Sequence, residues 1–119
     1  MAAYVLDFTL AGNEDWKDSL SFVSGDPPSE VDLTGYTFEQ HIRETAGSDF
    51  AILTCSTENG RLVISTPATD GVLSWNVPMA VMRSLKPGEY VHDLVLTLSG
   101  VRRRVAAGTV TIVETVTRP

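Results

Sequence analysis

A short turn followed by a strand-like run constrains the fold of this chain more than any other feature. The turn is Leu85-Lys86-Pro87-Gly88-Glu89-Tyr90, and an alternating run from Val91 to Leu98 follows it. Proline presets φ to about −65° and glycine accepts positive φ, so Pro-Gly favours a turn. The alternation predicts a strand with one buried face. A tyrosine just after such a turn is typical of a tyrosine corner, whose hydroxyl bonds upstream backbone in β-sandwiches. We therefore predict a structural corner built from Leu85, Pro87, Gly88 and Tyr90.

Short β-like runs, each ended by turn residues, continue along the whole chain. In the run Tyr36 to Arg43, one face would contain Tyr36, Phe38, Gln40 and Ile42, and polar residues would take the other. Asn59-Gly60 separates two further runs and predicts a hairpin between them. The only stretch with helical spacing is Pro78 to Leu85, which is long enough for one or two turns.

These runs predict an all-β protein. We count eight or nine short strands and no helix-length element, which favours an antiparallel β-sandwich of immunoglobulin-like or jelly-roll type. Residues 1–119 form a single domain, since a chain of this length buries about two-thirds of its unfolded surface. Apolar residues make up 43% and charged residues 20%, as in folded proteins. The predicted core contains Phe8, Leu20, Phe22, Tyr36, Phe38, Ile42, Leu53, Leu62, Trp75, Leu94, Leu96, Val110 and Ile112.

Membrane insertion and secretion are not expected. No apolar run approaches the roughly 18–20 residues that span a bilayer. The start, Met1-Ala2-Ala3-Tyr4-Val5-Leu6-Asp7, lacks the basic segment of a signal peptide. Cys55 is the only cysteine and can form no internal disulfide, which fits synthesis in a reducing compartment.

The charge is acidic overall and unevenly spread. The net charge is −6; residues 1–60 carry eleven acids and two bases, or −9, and residues 61–119 carry four acids and seven bases, or +3. A net-acidic chain is poorly suited to nucleic acid, whose phosphates need a basic surface. The two halves could attract each other between copies of the protein, or the split could vanish once the strands interleave.

The sequence offers no constellation for catalysis, a cofactor or a metal. Phosphate-loop, dinucleotide-binding, zinc-protease and serine-hydrolase motifs are absent. His41, His92 and Cys55 fall on three different predicted strands, and Cys55 lies in an apolar run where cysteine acts as a small hydrophobe. His92 and Asp93 are strand neighbours that point to opposite faces, so they cannot form a dyad. We therefore expect no enzyme, no cofactor and a buried or rim position for His92.

Acidic side chains near the start raise one further possibility, calcium binding. They could supply oxygen ligands if the loops that carry them met at one end of the sandwich. Their spacing matches no EF-hand, and we expect them to be solvated. The residues concerned are Glu14, Asp15, Asp26, Glu30 and Asp32.

Two features are candidates for a protein interface. Arg102-Arg103-Arg104 is the one basic run; it either guards a strand edge against aggregation or pairs with an acidic partner surface. Trp16 lies beside Glu14 and Asp15 in a loop-like setting, where it either joins an interface or caps the end of the sandwich. We predict that copies of the protein, or a second protein, contact these six residues.

The order of the motifs resembles that of a known family. It runs Val31-Asp32-Leu33-Thr34-Gly35-Tyr36-Thr37-Phe38, Ile42-Arg43, Asn59-Gly60, Leu85-x-x-Gly88-x-Tyr90-x-x-Asp93-Leu94, Gly108-x-Val110 and Val116-Thr117-Arg118. This pattern is similar to small β-sandwich proteins of tailed phages and prophages, and to the amino-terminal domain of phage baseplate upper proteins.

The resemblance implies a structural protein of the virion. Such a protein would be made in the bacterial cytoplasm, would contact other virion proteins and copies of itself, and would bind neither nucleic acid nor membrane. The baseplate upper proteins continue into a long fibrous region, whereas this sequence ends at Pro119. It would therefore be a docking module or an attachment protein for the tail tip, baseplate, fibre or neck. The alternative is a stand-alone binding module, for example for carbohydrate, with Trp16, Trp75 and Tyr4 as its aromatic platform.

Overall fold

Two facing β-sheets make up the body of the protein. The computed structural model describes residues 4–117, so the residues before Tyr4 and Arg118 of the terminal motif lie outside the described residues. The elements are, in chain order, β1 (Tyr4–Val5), β2 (Phe8–Ala11), β3 (Ser19–Ser21), β4 (Val23–Ser24), β5 (Ser29–Glu30), β6 (Thr37–Arg43), β7 (Leu53–Ser56), β8 (Leu62–Ile64), a 3-10 turn (Ala68–Asp70), β9 (Val72–Trp75), α1 (Met79–Met82), β10 (Gly88–Leu98) and β11 (Val101–Val113).

The strand order is that of an immunoglobulin-like sandwich. The larger sheet has the order β1-β11-β10-β6-β7, with β2 also paired to β11, and the opposite sheet has the order β3-β9-β8. In the nomenclature of immunoglobulin domains these sheets correspond to G-F-C-C′ facing B-E-D. Strands β1 and β2 run parallel to β11, and the other pairings are antiparallel. The predicted all-β, antiparallel sandwich is confirmed.

The described residues contain eleven strands, where the sequence predicts eight or nine. The difference arises at two places near the start. The run Tyr4 to Leu10 is interrupted at Leu6-Asp7 and forms both β1 and β2. The Pro-rich stretch between Ser24 and Ser29 is the turn of a short hairpin, in which β4 and β5 have two residues each.

The core lies between the two sheets, and the alternation predicts most of it. Nine of the thirteen predicted core residues are buried, and the other four, Leu20, Phe22, Tyr36 and Leu96, are partly buried against them. Trp75 of β9 packs against Phe8 of β2, with ring centroids 5.2 Å apart, and so joins the two sheets. Buried hydrophobic residues that the prediction omitted include Leu10, Trp16, Leu33, Leu73, Val77, Met82 and Val105.

Asn59-Gly60 does not connect a hairpin, so that prediction is wrong. Strand β7 pairs with β6 in one sheet, whereas β8 pairs with β9 in the other. The Asn59 side chain accepts a hydrogen bond from the Ser56 amide at 3.0 Å and donates one to the Thr54 carbonyl at 2.9 Å. These local bonds fold the connection back along β7, and the chain then crosses to the opposite sheet.

The predicted tyrosine corner is present. The Tyr90 hydroxyl donates a hydrogen bond of 2.7 Å to the Lys86 carbonyl, and the Tyr90 side chain is buried at the start of β10. Leu85 packs against the core. The bond fixes the path of the chain between α1 and β10, where it passes from one sheet to the other.

Removing the Tyr90 hydroxyl should destabilise the protein. In Tyr90→Phe the Lys86 carbonyl loses its donor at a mostly buried position, and we expect a loss of about 1–3 kcal/mol in the free energy of unfolding. Urea unfolding of the variant measures this loss, with Tyr4→Phe as the control because Tyr4 is exposed. A loss within error of zero would show that the bond contributes nothing to the corner.

Candidate interaction surface

Residues 12–18, called here the acidic loop, connect β2 to β3 at one end of the sandwich. Glu14 and Asp15 are both exposed. Asp15 Oδ1 accepts a hydrogen bond of 2.6 Å from the Met79 amide, and Asn13 Nδ2 donates one of 2.8 Å to the Thr117 carbonyl. The acidic loop is therefore attached to α1 and to the segment after β11, and these bonds hold its backbone in place.

Trp16 belongs to the core and is only 3% exposed. Its backbone forms a bridge with Val77 through bonds of 2.9 and 3.1 Å. Its ring packs against Phe8 and Trp75, with centroids 5.0 and 5.8 Å away, and its Nε1 donates to Asp18 Oδ2 at 2.8 Å. The expectation of an exposed interface residue is wrong for Trp16. The alternative is correct, because the bridge to Val77 turns the indole inward to close the end of the sandwich.

Arg102, Arg103 and Arg104 lie at the opposite end of the sandwich, on the first part of β11. With the tip of β10 they form a hairpin over residues 95–104, called here the arginine hairpin, and all three are exposed. Arg102 Nη2 lies 3.5 Å from Glu39 Oε1. Within residues 4–117 the side chains of Arg103 and Arg104 form no ion pair.

Most of β11 is not an open edge. Strand β10 covers one side of it, and β1 and β2 cover the other from Ala106 to Val113. Only the part of β11 before Ala106 lacks a described partner on that second side. This part carries the three arginines, and charge at an edge discourages pairing with another strand.

The acidic loop and the arginine hairpin are far apart within one molecule. The acidic loop follows Ala11, which pairs with Val113 at the end of β11, whereas Arg102 is at the start of that strand. A strand rises about 3.3 Å per residue, so roughly 36 Å separates Arg102 from Val113. The structure therefore does not bring the two groups together, and a contact between them has to form between molecules.

A row of polar side chains crosses the outer face of the larger sheet. Arg43 Nη2 lies 3.0 Å from His41 Nδ1, and His41 Nε2 lies 3.2 Å from Glu39 Oε2, which is next to Arg102. Beside the row, His41, Arg43, Asp93 and Arg104 contribute to an open cavity of about 330 Å³. Hydrogen bonds link Arg43, His41 and Glu39 into one row, and such a row is typical of a solvated sheet face.

The two candidate reactive side chains, Cys55 and His92, are both buried in the fold. Cys55 is fully buried, and burial raises the pKa of its thiol to about 12, against a smaller opposite effect of Arg61. His92 is 5% exposed, as the sequence predicted, and both of its ring nitrogens are bonded.

Among residues 4–117, no three His, Cys, Asp or Glu side chains are grouped so that they could hold a metal ion. No helix in the same range is long and apolar enough to cross a membrane.

Sequence reasoning missed a buried polar chain that joins the sheets. Trp75 Nε1 donates to Gln40 Oε1 at 3.0 Å, Gln40 Nε2 lies 3.1 Å from His92 Nδ1, and His92 Nε2 lies 2.6 Å from the Leu6 carbonyl. An indole N–H only donates, so Gln40 must turn its oxygen to Trp75 and its amide nitrogen to His92. His92 Nδ1 then accepts, and the proton resides on Nε2. The chain fixes both the amide orientation and the neutral tautomer.

This polar chain makes stability depend on pH. Burial lowers the pKa of His92 below its ordinary value of 6.5; smaller effects of the Leu6 bond, Asp93 and Asp7 act in the opposite direction. As pH falls below 6.5, the unfolded chain takes up a proton at His92 before the folded protein does. The free energy of unfolding should therefore decrease with falling pH, by at most about 1.4 kcal/mol per pH unit.

Urea unfolding at several pH values, from about one unit above 6.5 to about one and a half units below it, would measure the contribution of His92 to stability. His92→Gln, which cannot titrate, should lose that part of the slope. An equal slope in both proteins would mean that His92 does not carry the effect.

The three proposed aromatic residues do not form a carbohydrate-binding platform. Trp16 and Trp75 are buried, at 3% and 2% exposure, and only Tyr4 is exposed. A cavity of about 670 Å³ lies elsewhere, between residues 83–87 and the segment after β11, and no aromatic residue lines it. The aromatic platform expected for a binding module is therefore not formed by these three residues.

The structure shows an exposed aromatic residue that the sequence analysis did not single out. Phe50 is 85% exposed and lies in the connection between β6 and β7. Alternation does not identify it, because β7 begins only at Leu53 and Phe50 lies outside the strand.

No protein-family model matches the sequence, and a search of curated proteins also finds no match. Among solved structures, the crystal structure of CopC from Methylosinus trichosporium OB3b is similar over all of this chain and 91% of that chain. The sequence identity is 12% and the TM-score is 0.45. At this level the similarity supports no conclusion about family or function.

Proposed function

We propose that this chain is a structural virion protein of a tailed phage or prophage. It attaches or assembles parts of the tail tip, baseplate, fibre or neck through protein–protein contacts, and it does not catalyse a reaction. Its partners are other virion proteins and copies of itself, and neither nucleic acid nor membrane is among them. It is made in the bacterial cytoplasm and resides in the virion.

One structural observation carries this proposal: the exposed acids Glu14 and Asp15 and the exposed Arg102–Arg104 lie at opposite ends of one sandwich. Groups at opposite ends of a molecule meet only when copies stack head to tail. A head-to-tail contact uses two different surfaces, so it repeats and closes into a ring or extends into a filament. Rings and filaments are the assemblies from which virion parts are built, and the order of motifs resembles that of phage structural proteins.

Charges of this kind guide assembly more than they hold it together. An exposed ion pair contributes about 0–1 kcal/mol, whereas complementary charged surfaces speed encounter and set the register. Apolar contacts must therefore supply most of the affinity. Cys55 and His92, whose reactive atoms are buried or bonded, are consistent with a role that depends on surfaces.

Replacing Arg102, Arg103 and Arg104 together by serine should weaken assembly and flatten its dependence on salt. The fold should persist because all three side chains are exposed. Sedimentation velocity at low and high salt measures the effect, and circular dichroism checks the fold. The control replaces Arg83 and Lys86, exposed bases beside the acidic loop, by serine, and because this change makes the acidic end more negative it should not weaken assembly. If the triple variant assembles normally with unchanged salt sensitivity, the arginines only guard the edge.

A further inference from the structure

Phe50 is the most exposed aromatic side chain in the described part of the molecule. It lies in residues 44–52, called here the Phe50 loop, which follow β6. The end of β6 pairs with the first half of β10, so the Phe50 loop is at the same end of the sandwich as the acidic loop. An aromatic ring left in water at a loop tip is typical of a contact residue, because aromatic residues are enriched at interface centres.

The Phe50 loop is held in a defined conformation. Arg43 Nη1 donates to the Ser48 carbonyl at 3.0 Å. The Ser48 amide donates to the Thr45 carbonyl, and the Thr45 amide donates to Ser48 Oγ, both at 3.1 Å. The Ile52 amide closes the loop on the Ile42 carbonyl at 2.7 Å. A loop that is already ordered loses little conformational freedom on binding, so Phe50 is presented as a preformed contact.

The charges around Phe50 complement those of the arginine hairpin. Glu44 and Asp49 are in the Phe50 loop, and residues 44–52 contain no lysine or arginine. The tip of the arginine hairpin lies about 20 Å away, across the seven residues of β6, whereas Arg104 at its base lines the same cavity as Ala46 of the Phe50 loop. Its tip adds an apolar residue, Val101, which is 53% exposed. The Phe50 loop is thus acidic and aromatic, and the arginine hairpin is cationic with an apolar tip.

We infer that Phe50 of one copy binds the arginine hairpin of the next copy and is the apolar anchor of the assembly. A guanidinium stacks on an aromatic face, Val101 covers the ring edge, and Glu44 and Asp49 pair with the remaining arginine donors. The inference rests on the proposed function, because it requires copies to meet head to tail. It assigns to Phe50 the apolar contribution that buried Trp16 does not make.

A head-to-tail contact predicts a specific assembly state when two different variants are mixed. Phe50→Ser removes the anchor but leaves the arginine hairpin, whereas the triple arginine-to-serine variant removes the hairpin charges but leaves Phe50. Either variant alone lacks one side of every contact, and its self-association should weaken by at least about tenfold. In an equal mixture, one complete contact forms per pair. The mixture should therefore stop at dimers, whereas the unaltered protein forms larger species.

Sedimentation velocity over a concentration series measures these states, and thermal unfolding of each variant checks that it is folded. Val63→Ser is the matched control, because Val63 is an exposed apolar residue on the other sheet, and it should assemble like the unaltered protein. Dimers in the mixture, together with monomers in each variant alone, would support the inference.

Three results would overturn the inference. Phe50→Ser could assemble like the unaltered protein, the mixture could remain monomeric, or the unaltered protein could be monomeric throughout, which would place any partner of Phe50 in a different protein. The proposed function has a separate test, the presence of this chain in purified particles by mass spectrometry. A chain found in particles that never associates with itself would retain the virion role and lose the contact between copies.

Discussion

Replacing Gln40 by leucine should lower the free energy of unfolding by about 2–6 kcal/mol. The volume of the side chain hardly changes, but two buried groups lose their partners. The Trp75 indole N–H loses its acceptor and His92 Nδ1 loses its donor, and each unsatisfied buried group costs about 1–3 kcal/mol. A typical domain is stable by about 5–15 kcal/mol, so the variant could be close to unfolding at ordinary temperature.

Urea unfolding gives this loss, and a double-mutant cycle with Trp75→Phe identifies its cause. Trp75→Phe removes the indole donor, so the oxygen of Gln40 has nothing to accept. If the bond between the two matters, the double variant should lose less stability than the two single losses added together. Exact additivity would show that the bond between Trp75 and Gln40 contributes nothing, and would leave the bond to His92 as the cause of the loss. Glu39→Leu is the neighbouring control, since Glu39 lies on the outer face and should have a small effect.

The sequence predicts the faces of the strands better than the partners across them. The alternation in β6 correctly places Gln40 on the same side as Phe38 and Ile42. It cannot show that Gln40 meets Trp75 and His92, because those residues are 35 and 52 positions away and arrive through sheet packing. The tyrosine corner is predictable because its donor and acceptor are only four residues apart.

The errors at Trp16 and Asn59 share a physical origin. In both cases neighbouring residues suggest an exposed loop or a local hairpin, and pairing with a distant strand decides otherwise. Trp16 is turned inward by its bridge to Val77, and the strands on either side of Asn59 join different sheets. Charge alone correctly predicts that Glu14, Asp15 and Arg102–Arg104 are exposed, and their role in an interface stays a prediction. The exposure of Phe50 could not be predicted without the start of β7, which begins only at Leu53.

Gly108→Ala should destabilise the protein by about 3 kcal/mol, at the upper limit for overpacking a core. A Cβ at this position would collide with the Leu6 carbonyl oxygen, and it would lie 2.5 Å from Asp7 Oδ1. Both are held in place: the Leu6 amide bonds the Ala107 carbonyl at 3.0 Å, and Asp7 Oδ1 accepts from the Thr109 amide at 2.9 Å. Because a backbone atom is in the way, the crossing from β1 to β2 must move as a whole.

The comparison with Gly47→Ala separates this effect from the general cost of replacing glycine. A Cβ at Gly47 meets nothing within 4 Å, so that variant should be neutral or more stable by up to about 1 kcal/mol. Equal urea midpoints for the two variants would refute the steric argument. Gly108 also pairs directly with His92, whose Nε2 donates to the same Leu6 carbonyl. Displacing that carbonyl breaks the polar chain at its far end, so adding Gln40→Leu to Gly108→Ala should cost less than it does in the unaltered protein.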